Sequence, residues 1–419
     1  MSHIRKDRTI MKIKKAYTTL LIVPMLLVGL SACGTSSKNE SSVSAETDKV
    51  VSTDISTEEE EVVETATTIA STTTAESTSG TTIDLSKETG ETVEITKAGT
   101  YTLTGTYTGQ IHINADKADV TLILKDAKIT SENGPAIYAE DADKTTLSLV
   151  GENTVSDSSN YRETETEPAN AAIYAQDSLI VTGEGALTVE GNYEAGIRTK
   201  DDLVIDGGNI IVEATTDAVK ATDTLTITGG MLNLTAGNDG IQASGTDPDQ
   251  GMMTITGGKI TISASKQGLQ ATNKIEISGG ELTVKDSYEG VEAANIAIKG
   301  GNTTVYSTDD GLNASSDTSS DLSIEISDGE LSIYAGLSSQ GDGLDSNGSI
   351  TISGGTINIY DPSNAGDWSA VDSETGTTLT GGVVTQISSS GEKIVLTEET
   401  IQSQGPGGMG RMNGGSGRF

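Results

Sequence analysis

The chain has 419 residues, with 49 Gly, 6 Pro, 3% aromatic residues, a single Cys and a formal net charge of −35. One thiol excludes a domain stapled by internal disulfides. The acidic balance excludes nucleic acid and anionic membrane surfaces as direct partners, and long amphipathic runs that would make a helical bundle are missing.

Residues 1–33 read as a signal segment. Lys12, Lys14 and Lys15 precede an apolar run from Leu20 to Leu30, short for a membrane span, which needs about 20 residues. The run ends Leu30-Ser31-Ala32-Cys33-Gly34, which resembles the lipobox of bacterial lipoproteins, and Cys33 is expected to carry the lipid. The protein is therefore expected on the extracellular face of a bacterial membrane, held by that anchor. Without residues 1–33 the chain keeps 20 basic and 60 acidic residues, a net charge near −40. Residues 34–80 are rich in Ser, Thr and Glu, with a charge block at Glu58 to Glu61. They cannot bury enough apolar surface to fold and are expected to form a flexible stalk reaching roughly 35–40 Å.

From Ile83 the pattern changes to short alternating runs: Ile83 and Leu85, Val93 and Ile95, then Tyr101 to Gly105, Ile111 to Asn114 and Val120 to Leu124. These are irregular in spacing and are expected to form an N-terminal cap and first turns. From Ala172 to Ile387 the repeat is clear. In the stretch Ala221 to Ile241, Leu225 and Ile227 alternate with threonines, Gly229-Gly230 interrupts, Leu232 and Leu234 alternate again, and Asn238-Asp239-Gly240 turns the chain into Ile241. Alternation with period two marks strands with one buried face.

A Gly or Ala followed by an apolar residue recurs as a landmark, at positions 136, 172, 196, 218, 240, 268, 290, 311, 343 and 370. From Gly196 the spacings are 22, 22, 28, 22, 21, 32 and 27. A unit of this size cannot bury its own apolar face and must stack on its neighbours. A minimum period near 22 with three short strands predicts an all-β fold, a right-handed parallel β-helix of about ten coils over residues 81–395. Residues 396–419, rich in Gly and Met, are expected to be a disordered tail.

Stacking puts equivalent residues in columns. One column precedes the landmark: Asp217, Asp239, Gln267, Glu289, Asp310 and Asp342. A second follows it by two residues: Arg198, Lys220, Gln242, Gln270, Glu292, Asn313, Asp345 and Asp372. Two carboxylates one coil apart repel by about 3–4 kcal/mol at an effective dielectric of 20. A cation relieves that cost, and calcium, which takes six to eight oxygen ligands, suits the residue types. The expected ligands are Asp217, Asp239, Glu289, Asp309, Asp310, Asp342 and Asp345. Zinc and copper sites are not expected, because the domain has no Cys and only His112. The competing explanation is that Asp-Gly is simply good turn chemistry. A third column places Glu213, Thr235, Ser263, Lys285, Tyr306, Tyr334 and Tyr360 at one outward position. The three tyrosines are expected either to stack on sugars or to form a ladder that stabilises the sheet.

The lipobox, the Ser/Thr stalk, the Gly-apolar-x-Ala and Gly-Gly coils and the Gly/Met tail together resemble the clostridial family of carbohydrate-binding domain proteins. The resemblance covers residues 81–390. It implies a calcium-containing, pectate-lyase-like parallel β-helix that binds acidic plant polysaccharide such as polygalacturonate, and also cellulose, without catalytic residues. A polysaccharide lyase on the same fold is the first alternative, with Arg198 or Lys220 as base beside Asp217 and Asp239. A structural surface protein or adhesin is the second.

Overall fold

Alternating Leu, Ile and Val residues in runs of three to six, broken by glycines, make strands too short to stand alone and force lateral stacking. A computed structural model of the protein describes residues 80–161, 169–338, 341–362 and 368–402, all within the unit Thr74–Phe419. The signal segment 1–33 with Cys33, nearly all of the stalk 34–80 and most of the tail lie outside the described residues.

The described chain is an all-β solenoid of about 11 turns, mostly of parallel strands. One coil contains Val219–Ala221, Thr224–Ile227 and Met231–Ala236. Each of these strands pairs in parallel with its counterpart on the next coil: Val219 with Ile241, Leu225 with Met253 and Leu232 with Ile260. Three faces result. Val219, Leu225, Ile227, Leu232 and Leu234 all point into one continuous apolar core, and each such side chain contributes about 1.5–3 kcal/mol on burial.

The stretch expected to be an irregular cap builds coils of its own. Thr81–Asp84 pairs in parallel with Gly99–Thr108, and that strand with Val120–Thr130. At the N-terminal end Leu85 is fully buried in a 3-10 turn, Leu85–Lys87, whose N-cap Asp84 accepts from the Ser86 N–H. At the other end Lys393–Val395 adds antiparallel to Thr385–Ile387, and the helix Glu398–Gln402 follows. Leu396 and Ile401 are buried against the core. The tail boundary expected at residue 396 is thus corrected: residues 396–402 are part of the fold, because two apolar side chains there cover the last coil.

The Gly-Gly turn joins the second and third faces, and its two glycines are needed for different reasons. The second sits at positive φ, +89° at Gly230 and +87° at Gly258, where a side chain is strained. The first lies against the coil before it: a Cβ on Gly257 would meet the Thr228 carbonyl oxygen at 2.3 Å. Gly257→Ala is therefore expected to lower the unfolding midpoint by the equivalent of about 1–3 kcal/mol, whereas Asn233→Ala, on an exposed outward position, should cost under about 0.5 kcal/mol. Parallel denaturant melts check this; equal midpoints would contradict the role given to the turn.

Candidate metal and glycan site

The short strand after each landmark carries one outward position, and strand pairing follows it through twelve rungs. They are Glu94, His112, Tyr138, Tyr174, Arg198, Lys220, Gln242, Gln270, Glu292, Asn313, Asp345 and Asp372. The sequence reading began this column at Arg198. Irregular spacing hid the first four rungs, although the landmarks Ala136 and Ala172 already set Tyr138 and Tyr174 two residues further on. After Glu94 and His112 the column runs through two tyrosines and two cations, then through amides interrupted by Glu292, and ends on two aspartates.

At the N-terminal end His112 lies between two carboxylates, with Nδ1 2.9 Å from Glu94 Oε2 and Nε2 2.8 Å from Glu140 Oε2. Its ring stacks on Tyr138 at 5.3 Å. Next, Arg198 Nη1 donates to Asn170 Oδ1, and Asn170 Nδ2 donates to Glu194. Lys220 Nζ donates to Asp217 Oδ2 at 3.0 Å, with the two side chains 18% and 5% exposed.

Asp217 and Asp239 were expected to ligate a cation, and the structure gives them other partners. Asp217 Oδ1 also accepts from Asn238 Nδ2 at 2.7 Å, and Asp239 Oδ2 accepts from Gln242 Nε2 at 2.5 Å. Donors supplied by the chain itself, one of them a cation, occupy these acids, and neither acid belongs to a carboxylate group of the kind found further along the column. Burial, and the Asp217 charge after it, still push the Asp239 carboxyl above its usual range.

The acidic end is built differently. Carboxylate oxygens of Glu289, Asp309 and Asp310 lie within 4.8 Å of one another, and those of Asp342, Asp345 and Asp372 form a second such group. Five of the seven expected ligands are brought into these two groups. Asp372 was left out of the expected ligand set, although its place in the second column pointed to it. Adjacent coils hold the acids in place through backbone donors: the Asp342 N–H bonds Asp310 Oδ1 at 2.6 Å, and the Ser369 N–H bonds Asp342 Oδ1 at 2.5 Å. Between the groups stands Asn313. Its Nδ2 donates to Glu289 Oε1 at 3.0 Å, and its residue pairs in register with Asp345. Asn313 is 8% exposed, and its Oδ1 is buried with no hydrogen-bond partner.

This donor set consists of oxygens alone, which is what a hard cation such as calcium takes. A buried carbonyl-type oxygen without a donor costs about 1–3 kcal/mol, and a cation held by an adjoining acid group can satisfy it. Gln242 Oε1 is also buried without a partner, but its neighbouring rungs are Lys220 and Gln270, and the one carboxylate it bonds, Asp239, belongs to neither acid group. Burial pushes the Asp310 carboxyl up to about 7, with Asp345, Asp309 and Glu289 adding to the effect. Burial and the Asp372 charge raise Asp345 to about 6. Burial and the Glu289 charge raise Glu292 to about 7.

The tyrosine column exists as expected: Tyr306 pairs with Tyr334, and Tyr334 with Tyr360. The rings stack on each other, with centroids 4.4 and 4.0 Å apart and planes within 9°. Both faces of Tyr334 are therefore covered by tyrosine, and the ladder offers edges and hydroxyls more than open faces to a sugar. Lower in this column a β-bulge makes Ser263 pair with Asp286, not with Lys285 as the even spacing suggested.

A family model described as carbohydrate-binding domain-containing protein matches residues 89–337 and 286–417. A curated protein of that description from Acetivibrio thermocellus is 38% identical over 128 residues. The match covers 29% of this chain and 45% of the relative, less than half of that protein's length. The solved structure of a polysaccharide lyase-like protein from C. thermocellum, a gadolinium derivative, is 31% identical with a TM-score of 0.44, covering 52% of this chain and 85% of that one.

The raised carboxyl groups give a pH test. Asp310, Asp345 and Glu292 bind protons more tightly folded than unfolded, where the ordinary values are 3.8 for Asp and 4.5 for Glu. Their stabilising contribution is fully present below those ordinary values and is lost as pH rises through the folded values of about 6 and about 7. In chelator the melting temperature should therefore fall between about pH 4 and pH 7, and millimolar calcium should remove most of that fall. A melting curve insensitive to pH in chelator would contradict the placement of these acids.

Proposed function

Since the chain belongs to the family of carbohydrate-binding domain-containing proteins, we propose that it is a non-catalytic, calcium-dependent binding protein for acidic polysaccharide of the polygalacturonate type. The observation that carries this reading is the pair of carboxylate groups around the unpartnered Asn313 Oδ1. A surface with a net charge near −40 repels a polyuronate, so direct binding needs a counter-charge. Bound calcium would supply positive charge and open coordination positions for sugar carboxylates. Glu289, Asp309 and Asp310 would hold one ion, and Asp342, Asp345 and Asp372 another. Each group provides only part of the six to eight oxygens that calcium takes, which leaves room for ligand oxygens. The solenoid sets the spacing of the groups, and Asn313 bonds Glu289 in place.

A lyase would need a basic side chain close to the ion and able to accept a proton. Lys220 donates to Asp217 and stands on the cationic stretch of the column, four rungs before Asn313. This geometry favours binding over cleavage. The lipid on Cys33 would tether the domain to the outer face of the membrane, with residues 34–80 as spacer.

Binding to polygalacturonate should require calcium and weaken at least about tenfold, or 1.4 kcal/mol, when Asp310 and Asp342 are both changed to Asn. A binding isotherm with calcium and with chelator reads this; equal affinity in both would rule out bridging. For the anchor, Cys33→Ser protein should leave the membrane fraction, and unchanged lipid labelling of that variant would defeat it.

A further inference from the structure

A cavity of about 310 Å³ opens beside the acidic column and has no role in the site described so far. Counted from the landmark glycine, the acids occupy the residues just before it and two after it. The cavity takes the positions from two to seven after it. It is lined by Gln270 and Thr272 on one coil, Glu292 on the next, Ser315 and Asp317 on the third and Asn347 on the fourth. The last three of these coils carry Glu289, Asp309, Asp310, Asp342 and Asp345 of the carboxylate groups. A polymer lying along the column therefore passes the mouth of the cavity, and the cavity itself lies to one side, toward the next corner of the coil.

The lining selects a chemistry. Ser315 Oγ donates to Glu292 Oε1 at 3.0 Å. Among the described residues, the side chains of Gln270, Thr272, Asp317 and Asn347 make no hydrogen bond, so donors and acceptors converge there unused. No aromatic ring lines the cavity, so it offers polar contacts to hydroxyls rather than a stacking face. Two of its groups are acids and none is basic, which disfavours a second carboxylate. The volume is at the lower end of small-ligand sites, about 300–1,000 Å³, enough for a single ring.

We propose that this cavity receives a neutral sugar residue branching from the acidic backbone held on the column, so that the preferred glycan is a branched acidic polysaccharide rather than a linear one. The proposal rests on the cation-assisted reading given above. It assigns backbone recognition to the acid groups and branch recognition to the cavity.

The test uses the chain from Cys33 onward in calcium, with two probes: linear polygalacturonate, and polygalacturonate bearing single neutral xylose branches. The branched polymer should bind about tenfold more tightly, the worth of one or two net hydrogen bonds. The double change Asp317→Ala and Asn347→Ala, at two exposed positions, should bring the branched polymer to the affinity of the linear one and move the linear one less than about twofold. Equal affinity of the unaltered protein for both polymers, with calcium-dependent binding of the linear one retained, overturns the cavity assignment alone. The double variant losing affinity equally for both polymers overturns it as well. Failure of linear polygalacturonate to bind in calcium instead strikes the cation-assisted reading and, with it, the inference built on it.

Discussion

Every coil must rise along the axis by one strand spacing, about 4.8 Å, so that its three strands pair in register with those of the coil before. The Gly-Gly turn enforces this, since the first glycine lets the backbone approach the preceding turn and the second adopts positive φ. Once the return is fixed, a residue type at one position becomes a column at the spacing of neighbouring strands, about 4.8 Å. The chemistry of the surface then follows from what that spacing does to each side chain. Tyrosines at it stack, as Tyr306, Tyr334 and Tyr360 do. Carboxylates at it repel, and the fold has to answer that repulsion.

The column offers three answers along its length. In the middle the chain supplies its own donors, Lys220 and Asn238 to Asp217 and Gln242 to Asp239. Toward the C-terminal end amides separate the acids, with Gln267 and Asn313 both donating to Glu289. At the acidic end, among the described residues, the donors are backbone N–H groups alone for Asp310, Asp345 and Asp372. There the remaining charge is relieved either by a proton, which burial first and the neighbouring acids second favour on Asp310 and Asp345, or by a cation. A surface that binds protons loosely enough to release them near neutral pH is suited to exchange them for a metal.

Much of this was legible in the sequence because a solenoid converts spacing into geometry. The period near 22, the alternation of Leu225 and Ile227 with threonine, and the columns through Glu292 and Asp345 all reappear in the pairing. The N-terminal coils were harder to see, because positions 81–171 vary the strand length. Long strands such as Val120–Thr130 bend through two faces without a Gly-Gly break. What the columns could not reveal was which acids are satisfied by neighbours. Asp217 and Asp310 occupy the same position in the repeat. Only the side chains around them, Lys220 and Asn238 in one case and other acids in the other, separate an internal ion pair from a candidate cation ligand. Spacing also could not show that Leu396 and Ile401 fold back to cover the last coil.

The central claim is that stacked carboxylates short of side-chain donors, as at Asp310 and Asp345, and not acidity in general, make the cation site. Calorimetric titration of calcium into the glycan-free protein tests it most directly. The account predicts two classes of change: Asp310→Asn and Asp345→Asn each remove bound calcium, whereas Asp217→Asn, at an acid already paired with Lys220, leaves the number of ions bound unchanged. Calcium binding that is absent in the unaltered protein, or that is lost with Asp217 and kept without Asp310 and Asp345, would contradict it.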